Sequence, residues 1–249
     1  MPAWALKAAA GGTADWFLQR LAVARVIRPE VGFDTIIGDD FGGSILSELT
    51  DVVGTADATP SSNDSAGVVT LSVGDNVEAL STGRLALTGA GSHVKVLSST
   101  PWYMAALVKI TQPLDVTQLG DTRVDAVNLW GDSANWVAIG ILGNASGGSV
   151  TNWVGSVDNG GTITTTLGPA LDGEESPVWH LFEAWIDADG DLHFAIDDQE
   201  FNSTIDAANV PSVSAMLSVF GQRSAVGDPA LVNVDKYVAI VKSPTVGEP

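Results

Sequence analysis

The 249-residue chain contains no cysteine, which excludes disulfides and cysteine-ligated zinc sites and leaves the redox compartment open. Positive charge is scarce: 11 Lys and Arg stand against 30 Asp and Glu, a formal net charge of −19. That balance argues against nucleic acid as a partner and against docking on an anionic membrane. No apolar run approaches a membrane span. The start, MPAWALKAAAGG, lacks a basic stretch followed by a long apolar one, so no secretory signal peptide is expected. Nucleotide-loop chemistry is missing as well, because GNASGGS has no Gly-Lys-Ser/Thr ending. A Gly-x-Ser-x-Gly nucleophile elbow is likewise absent.

What is present points to a folded, sheet-rich chain. Hydrophobic residues make up 45% and charged residues 16%, so the chain can bury a sizeable core. Eight Trp supply large buried areas, and 27 Gly supply turns. Acidity is unevenly spread. Residues 1–28 hold Lys7, Arg20, Arg25 and Arg28 against Asp15 alone, net +3, which leaves −22 on the remainder. A slightly basic start on an acidic body reads as a segment that docks on an acidic surface.

TADWFLQRLAVARVIRPE predicts a helix over residues 14–27, opened by Thr13 and stopped before Pro29. Its apolar residues surround most of the helix, so the sandwich or another protein must cover it. Trp16, Phe17, Leu21, Arg25 and Arg28 are the candidate partner-docking residues. Residues 1–32 are read as an anchor segment, helical or extended, and 33–249 as the main domain. Removing residues 1–30 is expected to leave a folded sandwich.

From residue 33 the period becomes that of strands. GVVTLSV, GRLALTG, SHVKVLS, WYMAALVKIT, DAVNLWG, NWVAIGILG, VTNWVGSV and GTITTTL alternate apolar and polar residues between Gly, Asn, Asp and Ser breaks. VGTADATPSSNDSAG, residues 53–67, reads as a surface loop. Near the C-terminus, Val232, Val234, Val238 and Ile240 share one parity with Lys236. Many short strands imply an all-β sandwich or barrel.

PVWHLFEAWIDADGDLHFAIDDQEF, residues 177–201, is the most informative stretch. It reads as two strands flanking an Asp189-Gly190 turn. Asp187, Asp189 and Asp191 have the alternate spacing of a calcium loop, but Leu192 and Asp198 stand where that loop wants Gly and a bidentate Glu. A solvated hairpin tip is therefore preferred, and no metal site is assigned. Glu183 and Asp187, four residues apart on a strand, sit about 13 Å apart, too far for a glycosidase carboxylate pair. His93, His180 and His193 fall inside strand patterns, which favours structural roles, so no catalytic residue is assigned and no enzyme is expected. The aromatic and amide cluster in NLWGDSANWVAIG and VTNWVG offers Trp130, Asp132, Asn135, Trp136, Asn152 and Trp153 as a glycan-binding set, against the alternative that these Trp fill the core.

The 177–201 stretch, with GRLALTGAGSHVKV, WYMAALVKI and SVFGQR…VNVDKYVAIV, resembles concanavalin A-like and laminin-G-like jelly rolls over residues 33–243. The resemblance implies two facing antiparallel sheets and a surface able to hold glycan, without a cofactor. Asp198-Gln199 replaces the usual Asp-Gly turn, and the acidic glucanase motif is missing. Such sandwiches work outside cells, while this chain shows no export signal. These two facts lead to an expected virion protein assembled in the host cytoplasm: a capsid-decoration, tail or fibre component. Its N-terminal segment would bind other virion proteins, its sandwich would face host glycans, and it would form a homo-oligomer, a trimer being favoured. The alternatives are a free carbohydrate-binding module or lectin, and a glycoside hydrolase of laminarinase-like fold.

Overall fold

A computed structural model describes residues 13–27, 31–32, 35–39, 50–54, 57–60, 68–73, 81–89, 92–93, 95–112, 122–142, 151–171, 178–223 and 230–241. One helix, α1 (Thr13–Ile27), precedes seventeen strands among these residues. They are β1 (Thr35–Asp39), β2 (Thr50–Gly54), β3 (Asp57–Pro60), β4 (Val69–Val73), β5 (Ser81–Gly89), β6 (Ser92–His93), β7 (Lys95–Leu97), β8 (Trp102–Gln112) and β9 (Thr122–Asp132), followed by β10 (Asn135–Leu142), β11 (Asn152–Asn159), β12 (Thr162–Ala170), β13 (His180–Ile186), β14 (Leu192–Ile196), β15 (Gln199–Glu200), β16 (Ser214–Arg223) and β17 (Ala230–Val241). All the pairings are antiparallel. Sheet A runs β15-β14-β13-β8-β17-β4-β3, with β1 beside the second half of β17. Sheet B runs β12-β11-β10-β9-β16-β5-β2, with β6 on β5 and β7 on β16. The architecture is the expected all-β, two-sheet antiparallel jelly-roll sandwich with a short N-terminal helix. No described helix is long and apolar enough to cross a membrane.

The main core lies between the sheets. Trp102, Met104, Val108, Phe182, Ala184, Phe194 and Ile196 from sheet A face Val127, Leu129, Val137, Ile139, Trp153 and Val157 from sheet B. Two glycines of sheet B make room for two rings from across the sandwich. A Cβ on Gly155 would stand 2.2 Å from the Phe194 ring, and one on Gly168 would stand 2.3 Å from the Phe201 ring. Both separations lie far inside van der Waals contact, so these strand glycines mark close approach rather than flexibility.

A second, smaller core lies on the outer face of sheet A. There Leu21, Ala24 and Val31 pack on Tyr103, Ala105, Val238 and Ile240, with Trp16, Val23, Ile27, Leu181 and Trp185 at its margin. The helix expected over 14–27 is therefore covered on one side by its own sandwich. Leu21, read as a partner-docking residue, is buried in this intramolecular core. Trp16 is half-buried, with the Lys236 ammonium 5.4 Å above its ring. Arg25 is exposed in the last turn. The Phe17 side chain and Arg28 lie outside the described residues.

Two sequence expectations change. Within residues 53–67, read as a loop, Asp57–Pro60 forms β3 and pairs with β4; residues 61–67 lie outside the described residues. The shared parity of Val232, Val234, Val238 and Ile240 is broken by a β-bulge between Val234 and Lys236. Val232 and Val234 enter the main core, whereas Val238 and Ile240 enter the helix-covered one. One extra residue flips the strand's faces. It keeps Lys236 out of the interior and brings Tyr237 and Ala239 in.

Candidate functional site

The outer face of sheet B carries the polar concentration. β9 has its own irregularity: Ile139 pairs with Val127 and Gly140 with Asp125, so Ala126 is the extra residue. Ala126 and Val127 both reach the core, while Asp125 and Asn128 share the outer face. The Asn128 amide nitrogen donates to Asp125 Oδ2 at 2.8 Å, and the Ser218 hydroxyl donates to Asn128 Oδ1 at 3.2 Å. Across β10 and β11 the same row continues through Ala138 and Ser156. The next row pairs Trp130 with Trp136, and Trp136 with Asp158. Asp158 Oδ1 accepts the Gly161 amide at 2.8 Å. The floor is thus small, hydrogen-bonded and buried, with Asp125, Asn128, Ser156, Asp158 and Ser218 each 5% exposed or less, and it has an indole pair at one end.

Four of the six sequence-selected glycan residues meet at that end. Trp130 is half-buried beside Trp136, which is buried outside the main core. Asp132 and Asn135 close the β9–β10 hairpin. Asp132 Oδ1 accepts from the Ala134 amide at 2.8 Å and from Asn135 Nδ2 at 2.9 Å. The Ala134 amide, then the Asn135 side chain, hold the Asp132 carboxyl below its ordinary value. Asn135 Oδ1 accepts the Gly160 amide at 3.2 Å, joining this hairpin to the next. The other two sit elsewhere. Asn152 starts β11 at the far end of the sheet and donates to Gly168 O at 2.9 Å. Trp153 is a core residue, edge-on to Phe182 at 5.1 Å and to His180 at 5.3 Å. Sequence reasoning missed Asp125, Asn128, Ser156, Asp158 and Ser218. Period-two alternation places Asp125 and Asn128 on opposite faces, and only the bulge unites them.

A second polar cluster lies on the outer face of sheet A. Asp187 caps the 187–191 turn through Oδ1, which accepts the amides of Asp189 at 2.9 Å and Asp191 at 3.0 Å. Gly190, at φ 90°, supplies the left-handed residue this turn needs. Asp187 Oδ2 meets His193 Nε2 at 2.8 Å, and His193 Nδ1 meets Glu200 Oε1. Asp191 Oδ1 accepts the Ala207 amide. The Asp187 carboxylate is thus committed to the turn and to His193, and Asp191 ties the turn to residue 207. Among the described residues no group of three or more His, Asp or Glu is placed to hold a metal ion.

His193 stacks on Trp185, ring centroids 5.2 Å apart and planes within 13°. Burial pushes the His193 pKa down, but the hydrogen bonds and charges of Asp187 and Glu200 outweigh it, and the net shift is upward. For Asp187 burial pushes up, while the His193 hydrogen bond and the two turn amides outweigh it and hold the carboxyl low. The raised histidine contributes stability that is complete below its ordinary value near 6.5 and is lost as pH rises through the folded value. The depressed Asp187 contributes above about 3.9 and loses its contribution as pH falls through its lower folded value. We expect the melting temperature to fall between pH 6 and pH 8.5, and the His193→Gln variant to flatten that slope. An unchanged slope in the variant would remove His193 from the account.

The described chain matches no protein-family model and no curated sequence. Its fold, however, is shared with solved structures. It is similar to the Emp47p carbohydrate recognition domain, with TM-score 0.54 and 13% identity, covering 83% of this chain and 94% of that one. It is similar to a Bacteroides ovatus mixed-linkage glucan GH16 in complex with a G4G4G3G product, with TM-score 0.55 and 14% identity, covering 82% and 99%. A Shewanella oneidensis protein of unknown function matches with TM-score 0.55 and 12% identity, covering 97% and 100%. At these identities the likeness defines the fold: a lectin-like β-sandwich of the kind found in carbohydrate-binding and glycoside-hydrolase domains.

Proposed function

We propose that the protein is a carbohydrate-binding sandwich that holds a neutral glycan against the outer face of sheet B, with Trp130 as the stacking platform. The carrying observation is the Trp130–Trp136 cross-strand pair at the end of the Asp125–Asn128–Ser218 hydrogen-bonded row. A partly exposed indole beside fixed polar groups is the pattern that orients a sugar ring. A net charge of −19 repels polyanionic glycans and selects neutral ones. The role is binding without turnover, a reading supported by the commitment of the described carboxylates at this site: Asp125 accepts from Asn128, Asp158 from Gly161, and Asp132 from Ala134 and Asn135.

The test is titration of the intact chain with neutral β-glucan and mannose-type oligosaccharides. Trp130→Ala is expected to weaken binding about tenfold or more with a smaller loss of stability than a core tryptophan would give. Trp153→Ala is expected to lower stability through the core, so it serves as the contrast. Absence of affinity for any neutral glycan, or full affinity in Trp130→Ala, defeats the reading; hydrolysis of the oligosaccharides would move it to an enzyme.

A second reading, display on a virion through the N-terminal segment, draws support from the exposure of Leu18 (53%) and Val26 (81%) on the outward side of α1. The sandwich itself covers the other side of that helix, which weakens the need for an external partner that led to this reading. Presence or absence of the chain in purified particles tests it.

A further inference from the structure

The marginal strands of the two sheets differ in one respect. β15 carries Glu200, β3 carries Asp57, β1 carries Asp39 and β2 carries Asp51, and none exceeds five residues. Short length, charge, proline and bulges are devices by which edge strands resist pairing with other chains. β12, at the end of sheet B, is long and uncharged, and its proline and its irregularity with β11 are confined to its last residues, beyond Leu167. Its nine residues, TITTTLGPA, include no charged side chain in a chain of net charge −19. Among the described residues no strand lies beyond it. On its outer face Ile163 is 55% and Leu167 57% exposed, on either side of exposed Thr165.

We propose that β12 pairs antiparallel with the β12 of a second copy of this chain, about a two-fold axis at Thr165, so that sheet B continues through a homodimer. The sequence is self-complementary in that register. Ile163 falls opposite the second copy's Leu167 twice over, and Thr164 falls opposite Thr166, both favourable cross-strand pairs. Pro169, which has no N–H to offer, falls opposite Gly161, outside the strand. The absence of charge selects a second copy over other occupants: two acidic bodies meet at a long margin where no carboxylate is carried on the pairing strand. Antiparallel pairing closes on itself with C2 symmetry, in place of the expected trimer. It also sets both outer faces of sheet B on the same side. The pairing does not depend on glycan binding and is tested without it.

The intact chain, examined by light scattering at tens of micromolar, is expected to show twice the 25.7 kDa chain mass. Thr165→Lys places two like charges on the axis and is expected to return the single-chain mass with an unchanged circular dichroism spectrum, the melting temperature losing its dependence on protein concentration. Because the chain has no native cysteine, Thr165→Cys puts one thiol per copy on the axis. Facing Cα atoms about 4.5–5.5 Å apart lie within disulfide reach. Mild oxidation should give a covalent dimer, while Ala188→Cys in the exposed turn of sheet A, off the proposed axis, should not. A single-chain mass for the unaltered protein, a dimer that survives Thr165→Lys, or cross-linking no better at Thr165 than at Ala188 would each overturn the proposal.

Discussion

Phe194→Ala is expected to destabilise the protein by about 3–5 kcal/mol, the range for emptying a buried aromatic site. In a chain of this size that corresponds to a fall of roughly 10 °C in melting temperature. Phe194 is 1% exposed, sits between the sheets and leans on Phe201 at 5.9 Å. Its ring occupies the space where a side chain on Gly155 would be, so the pair is tested from both ends. Gly155→Ala drives a methyl into the ring, and overpacking of this kind costs about 1–3 kcal/mol. If the two positions share one volume, Gly155→Ala combined with Phe194→Leu should lose less than the two single changes together, by about 0.5 kcal/mol or more. Strictly additive losses, read from chemical denaturation, would show that the ring is not held by the glycine.

The second large effect concerns the contact between α1 and the sandwich. Glu183 is buried at 5% exposure on the outer face of β13. It receives Arg20 Nη1 at 2.9 Å and the Tyr103 hydroxyl, both on Oε1. Burial, then the Glu183 charge and hydrogen bond, push the Tyr103 pKa up strongly, with Arg20 opposing, so the phenol stays protonated and keeps donating. Glu183→Ala strands a largely buried guanidinium whose Nε already has no hydrogen-bond partner among the described residues. Breaking one side of such a pair costs about 3–5 kcal/mol. Replacing both charges, as in Arg20→Met with Glu183→Leu, is expected to recover most of that loss, because the desolvation of both ions disappears with them. Loss of α1 altogether uncovers Tyr103, Ala105, Val238 and Ile240. Deletion of residues 1–30 is therefore expected to lower the melting temperature and expose apolar surface, contrary to the sequence-based expectation of a self-sufficient sandwich. A truncated chain that melts with the full one would restore that expectation.

Where the sequence was readable, it was readable through period. Leu192, Phe194 and Ile196 alternate, and all three enter the core. Thr13 through Ile27 lacks Gly and Pro, and it is helical. Asp189-Gly190 marked a turn that the structure contains. Period fails wherever the ladder gains a residue. The β9 bulge hid the Asp125–Asn128 pair, and the β17 bulge hid the division of one strand between two cores. Trp130 and Trp136 were found because aromatics on a strand stand out. Composition could not separate them from Trp153, since facing is set by register and not by residue type. The Arg20–Glu183 contact joins positions 163 apart in the chain, and no local pattern announces it.

The β17 bulge has a consequence for how this chain tolerates change in length. Loops ordinarily absorb insertions and deletions, and strands tolerate exchange of side chains. Here the single residue Asp235 acts as a phase shifter. Omitting it would leave a regular ladder with Val234 inward, Lys236 outward and Tyr237 inward, so every downstream residue would keep its face. The strand can therefore shed one residue between Val234 and Tyr237 without exchanging its two cores, whereas a second extra residue there would reverse the faces downstream.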